Sequence, residues 1–369
     1  MNIKTAAIVL GTMLLMAGFA GAAVTTTEID KIRNKGVLDG DDLQIIDKFV
    51  DDAVKELIKT RDFTSAAGNR MAILTRRSSN MDSAKGQYEE QFYESARKYI
   101  SQGLEKSSEI TPPDRRTGVI INLLILVDSL ENMGLSSLSL GMLESENIVV
   151  RYWAVHSLAN PYMIKQLNSP GDENSKLAVT LVEKFKAMAA GCDHEALGLI
   201  VGFAGGVSTP ESEDLLMQIA DMRIGQYMDW TVENELVDSA VMRLLCNKMS
   251  SSNLGSSAIA RRFAQLYSCA VQRYIKGREV LSAAQKHNLV SVMVDGEEFI
   301  GKLLGAPQSI VKKALERDDL TILLQEHNRL LGDETKAGQL GSKLNYDYGK
   351  DKDGNQRISP LVLPEPSKH

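Results

Sequence analysis

Between Leu140 and Leu158 the chain reads LGMLESENIVVRYWAVHSL. In this stretch Val150, Ala154 and Leu158 recur at four-residue intervals, which places them on one face of a helix. Ala154 is small where two helices must approach closely. Leu138, Leu140, Met142 and Leu143 mark a short partner helix before it. Between the two lies Glu144-Ser145-Glu146-Asn147, where Glu146 or Asn147 opens the second helix and sets negative charge near its positive end. A helix pair this short cannot bury its own apolar face, so it needs neighbours built the same way.

The pattern Val150-Arg151-x-x-Ala154-x-x-x-Leu158 after an acidic turn resembles the second helix of a HEAT repeat. The resemblance covers about one helix pair of a chain that needs six or seven. It implies an αα-solenoid in which Arg151 reaches the turns between repeats, and it implies nothing specific about function. Apolar periodicity carries helices through most of the remaining chain. Helical faces run from Asp42 to Thr60, Gln87 to Lys106, Ser256 to Lys276 and Ser282 to Leu304. Helix starts recur every twenty or so residues, so pairs recur at about forty, the period of HEAT and armadillo arrays. Only one degenerate echo of the arginine motif follows, Met242-Arg243-x-x-Cys246. The predicted fold is all-α: an irregular, HEAT-like right-handed αα-superhelix over residues 41–340. The ordinary alternative is an irregular helical bundle. Residues 341–369 are expected to form a short β-hairpin around Asp353-Gly354 and then a mobile, Pro-rich tail.

The N-terminus has the form of a secretory leader. Lys4 supplies a short positive region, Ala6 to Ala20 is apolar, and Ala20, Ala22 and Ala23 are the small residues of a cleavage region. Residues 1–23 are therefore expected to be removed after Ala22 or Ala23, leaving 24–40 as a linker. The next apolar run, Val119 to Val127, is too short to cross a bilayer. The expected location is periplasmic or extracellular, with no transmembrane helix after leader removal. A net charge of −6 argues against a nucleic-acid partner, which calls for a basic footprint. There are 3 cysteines, so a monomer cannot pair them all. Cys246 and Cys269 fall too far apart along consecutive antiparallel helices for a disulfide.

Every chemical motif in the chain is incomplete. Asp351-x-Asp353-Gly354 lacks the first ligand and the closing Glu of a calcium loop, so a turn is expected. His194-Glu195 opens like a zinc-protease helix, but Gly198 stands where the second His belongs. Cys192-Asp193-His194 holds a nucleophile, an acid and a base, yet neighbours in sequence do not face each other on a helix. The arginine pairs Arg76-Arg77, Arg115-Arg116 and Arg261-Arg262 are expected on solvated edges, with anion binding only if they converge. No catalytic residue, metal ligand or cofactor site is assigned.

The expected function is thus an exported, non-catalytic scaffold that presents a helical-repeat surface to a protein or cell-envelope polymer. The rival expectations are a lyase or hydrolase on an α/α-toroid and a self-associating structural envelope protein. Aromatic residues make up 5% of the chain, which leaves little for a sugar-processing cleft.

Overall fold

The computed structural model describes residues 26–251, 256–350 and 353–366. The expected leader, with Ala20, Ala22 and Ala23, lies outside the described residues, as does the turn at Asn253. Seventeen α-helices and two short 3-10 turns make up the described chain, and among the described residues there is no strand. The all-α expectation holds. Two compact units divide at Leu158/Ala159.

The first unit holds α1 (Thr27–Ile32), α2 (Gly40–Lys59), α3 (Phe63–Leu74), α4 (Asp82–Lys106), α5 (Pro113–Leu130), α6 (Ser136–Leu140) and most of α7 (Ile148–Ala159). Three of its helices, α2, α3 and α7, begin on a short polar side chain. Asp39 accepts the Asp42 N–H while Asp42 accepts the Asp39 N–H, a reciprocal cap for α2. Asp62 does the same one-sidedly for α3. The core is the face of α2 bearing Ile46, Val50, Ala53 and Leu57, packed on Tyr88, Phe92 and Ile100 of α4. Gly103 lets α4 sit between α2 and α5: a Cβ there would lie 2.9 Å from Ile58 Cδ1 and 3.1 Å from Leu123 Cδ1.

In the repeat-like stretch α6 ends at Leu140, so Met142 and Leu143 lie in a turn, and α7 begins at Ile148. Asn147 accepts the N–H groups of Val149 and Val150 and so starts α7. Val150, Ala154 and Leu158 are all buried. Arg151 turns back to donate to the carbonyls of Ser145 (2.8 Å) and Glu146 (3.1 Å), so it braces the turn immediately before its own helix. His156 and Ser157 tie α7 to Asp128 and Ser139.

The second unit holds α8 (Pro161–Leu167), α9 (Asp172–Met188), α10 (His194–Gly206), α11 (Pro210–Met228), α12 (Leu236–Ser251), α13 (Ser256–Lys276), α14 (Ala283–Leu304), α15 (Ile310–Glu316), α16 (Leu320–Leu331) and α17 (Gln339–Leu344). Its packing is regular. Helices two apart in sequence pack on each other without a break: α9 on α11, α10 on α12, α11 on α13, and α12 on α14. Close approaches are made by small residues. A Cβ on Gly296 of α14 would meet the Tyr267 ring of α13 at 2.4 Å, so the two helices touch through that ring.

The C-terminal segment departs from expectation. In place of a β-hairpin there is a single antiparallel bridge, Lys350↔Gln356, beside two backbone hydrogen bonds between residues 348–349 and Arg357. The paired stretch is short, and helices hold the rest of the segment. Arg261 of α13 donates to the Asp347 carbonyl and carboxylate, and the Tyr348 hydroxyl donates to the Leu331 carbonyl. The tail beyond Pro360, expected to be mobile, is laid against α13 as far as Glu365.

Candidate functional site: a polar stripe on α13 and the peptide it holds

Helix α13 has two faces. Ile259, Phe263, Leu266 and Ala270 enter the core. On another side, Arg261, Gln265, Ser268, Gln272 and Lys276 follow at intervals of four, three, four and four, and so form one stripe. A polar stripe on an amphipathic helix ordinarily faces water. Here Gln265 is 5% exposed, Ser268 0% and Gln272 9%. The cover is the chain's own segment from Pro360 to Glu365.

The segment is held by its main chain. Gln265 Oε1 accepts the Leu361 N–H at 2.8 Å, and Gln272 Nε2 donates to the Leu361 carbonyl at 2.8 Å. Gln272 Oε1 accepts the Leu363 N–H at 2.8 Å. Lys276 Nζ donates to the Leu363 carbonyl at 2.7 Å and pairs with Glu365 at 2.8 Å. The indole N–H of Trp230 donates to the Pro364 carbonyl at 3.0 Å. Primary amides suit this task because each offers one donor and one acceptor, the complement of a peptide group. Of its side chains, Pro360 and Leu363 are buried and Leu361 is half-buried, while Val362 is 64% exposed.

Beneath the stripe runs a buried relay. Gln272 donates to Ser268 Oγ, so the Ser268 hydroxyl points its proton at His327 Nε2, 2.8 Å away. Nδ1 of His327 then carries the ring proton and donates to Asn328 at 2.9 Å. Burial holds the His327 pKa below its ordinary value, opposed by the bond to Asn328, so the ring is neutral. A serine hydrolase relay has a carboxylate beyond the imidazole; here the third group is the uncharged Asn328 amide. The surroundings differ too. Ser268 is enclosed in the middle of α13, where the N–H groups are spent on the helix, and no donors are aimed at an oxyanion. What the relay does is fix the rotamer of Gln272.

The Trp230 end is fixed by charge. Arg223 and Asp238 form a bidentate pair at 2.6 and 3.0 Å, and the Tyr227 hydroxyl adds a bond to Asp238 at 2.7 Å. Both charged groups are buried. Burial works against the Arg223 charge, but the Asp238 carboxylate prevails and holds its pKa above the ordinary value. Tyr227 is driven well up by burial and by the same carboxylate. Arg223 also donates to the carbonyl of Glu233, and Arg273 to that of Val232. These bonds pin the loop between α11 and α12, where Trp230 and Asn234 take left-handed φ values of 60° and 46°. The Arg273 guanidinium lies 5.3 Å from the Trp230 ring centre, a cation–π contact that supports the indole from below.

The motifs weighed in the sequence go elsewhere. Asp193 caps α10 through the Ala196 N–H, His194 contacts Glu195, and Cys192 donates to the Ala189 carbonyl. Cys192, Cys246 and Cys269 are free thiols, and burial pushes Cys269 up to about 12. Arg76 pairs with Asp30 and Arg77 with the Ser129 carbonyl in the first unit. In the second, Arg261 pairs with Asp347 and Arg262 with Asp221. Arg116 donates to the Ile110 carbonyl, whereas Nε of Arg115 is buried without a hydrogen-bond partner. Among the described residues no three His, Cys, Asp or Glu side chains group as a metal would require, and no helix is long and apolar enough to cross a membrane. A cleft of about 750 Å³ beside α16 and α17 is lined by Asn328, Arg329, Asp333 and Lys336. Arg329 there is already engaged by Glu326, Gln308 and Gln339. Comparison with protein-family models, curated proteins and solved structures finds no match to this chain.

Proposed function

We propose that the protein is an exported, non-catalytic binding protein whose second unit is a HEAT-like αα stack that holds extended polypeptide along α13. One observation carries this reading: a buried polar stripe engages an extended segment almost wholly through peptide N–H and C=O groups. Such contacts recognise chain conformation rather than a particular side chain, as in other modes of extended-peptide recognition. The second-neighbour packing from α9 to α14 supports the stack, since helix pairs leaning on their neighbours produce that pattern. The enclosed setting of Ser268 supports a non-catalytic role. Export rests on the leader-like residues up to Ala23 and puts the partner in the cell envelope or outside it.

The test is a panel of unrelated extended 12-residue peptides offered to the full chain, with binding read by fluorescence anisotropy and peptide integrity by mass spectrometry. Several peptides are expected to bind and all to remain intact. Binding by none, or cleavage of any, would overturn the reading.

A further inference from the structure

We propose that the α13 stripe is a binding site for a proline-bracketed, leucine-anchored extended peptide of another chain, and that the C-terminal segment occupies it as a displaceable stand-in. The inference rests on the peptide-binding reading above and adds the ligand's chemistry.

The register supports it first. Gln272 and Lys276 are four residues apart on a helix, about 6 Å along its axis. They hold the carbonyls of Leu361 and Leu363, two residues apart in an extended chain, about 6.6 Å. Helical and extended repeats therefore coincide over this span with the segment running parallel to α13, and any extended chain can take the same bonds.

The ends of the segment define the ligand further. Pro360 and Pro364 bracket the clamped residues. Neither has an N–H to satisfy, and each disfavours helical backbone in the residue before it. Leu363, the residue before Pro364, is thus biased towards extended backbone before it binds, which lowers the ordering cost. Between the prolines, Leu363 fills the apolar position at 1% exposure, whereas Val362 points outward and is free to vary. Beyond them, Lys276 selects an acidic residue two places after the leucine, as Glu365 shows. The ligand class is therefore Pro-x-x-Leu-Pro-acidic in extended form.

The experiment keeps the full chain. Leu363→Asp unseats the resident segment by burying a charge, and Leu363→Ala does so more gently should the first variant fold poorly. The probe is a fluorescein-labelled peptide of residues Ile358 to His369, titrated against each protein with anisotropy as the readout. Both variants are expected to bind the probe at least about tenfold more tightly than the wild-type chain, whose own segment competes. Adding Gln272→Ala should weaken that binding at least about tenfold, and a probe carrying Asp in place of Leu363 should bind at least about tenfold more weakly than the native probe. Equal binding by wild type and variants, indifference to Gln272→Ala, or no binding by variants of native helix content would overturn the proposal. In the last case, retention of unrelated extended peptides by the same variants would leave the broader reading standing. Retention of none would remove both.

Discussion

Replacing Asp238 with Asn keeps the size and shape of the side chain and removes its charge. In the native protein that carboxylate accepts two bonds from Arg223 and one from Tyr227, and it is 0% exposed. The amide retains a single acceptor oxygen and turns an NH₂ towards a guanidinium. Arg223, only 3% exposed, would keep its charge opposed only by the weaker influence of Glu235, which already faces Arg273. Breaking one side of a buried pair in this way costs about 3–5 kcal/mol. With a urea slope of about 1–3 kcal/mol per molar, the midpoint of the second unit should fall by about 1–5 M. The two tryptophans, Trp153 and Trp230, lie in different units, so Trp230 fluorescence in a Trp153→Phe background follows the second unit alone. A companion chain with Arg223→Met and Asp238→Leu should recover most of the loss, because an apolar pair needs no desolvation. A loss below about 1 kcal/mol for Asp238→Asn would refute the assignment of this pair as the anchor of the Trp230 loop.

Other perturbations follow from the same geometry. His327 is buried and neutral, with its pKa below the ordinary 6.5. The unfolded chain therefore takes up the proton first, and second-unit stability should fall as pH drops below about 6.5. His327→Gln should flatten that dependence when read through Trp230. His156 behaves oppositely in the first unit: its bond to Asp128 raises its pKa, so its contribution is complete below about 6.5 and fades as pH rises through the raised value. Gly296→Ala forces a Cβ into the Tyr267 ring and should cost about 1–3 kcal/mol by thermal melting; an unchanged melt would contradict the packing. Arg151→Ala removes two bonds to the turn before α7 and should cost the first unit about 1–2 kcal/mol, followed by Trp153 fluorescence.

Much of the helical structure was legible because caps and apolar spacing are local. Asp193 and Thr209 start helices as their types suggest, and Val150, Ala154 and Leu158 are buried together. At α5 Pro112 takes the cap position and no side chain bonds there. The candidate site was not legible, for a physical reason. Periodicity shows that Gln265, Ser268, Gln272 and Lys276 share a face but not what covers it. Their cover lies some ninety residues on, in a segment with no period of its own. The proline content of that segment suggested mobility, yet two prolines also stiffen an extended chain for docking. Arg223 and Asp238 were hidden likewise, since fifteen residues and an irregular loop separate them. The one available signal was a set of amides at helical spacing in place of the charged residues usual on solvated faces.

Amide hydrogen exchange at Leu361 and Leu363 in the wild-type protein tests the central claim most directly. If the α13 stripe holds extended polypeptide by its main chain, both amides exchange at least about tenfold more slowly than in the free peptide of residues Ile358 to His369. Exchange of both at the free-peptide rate, with α13 itself protected, would contradict the account.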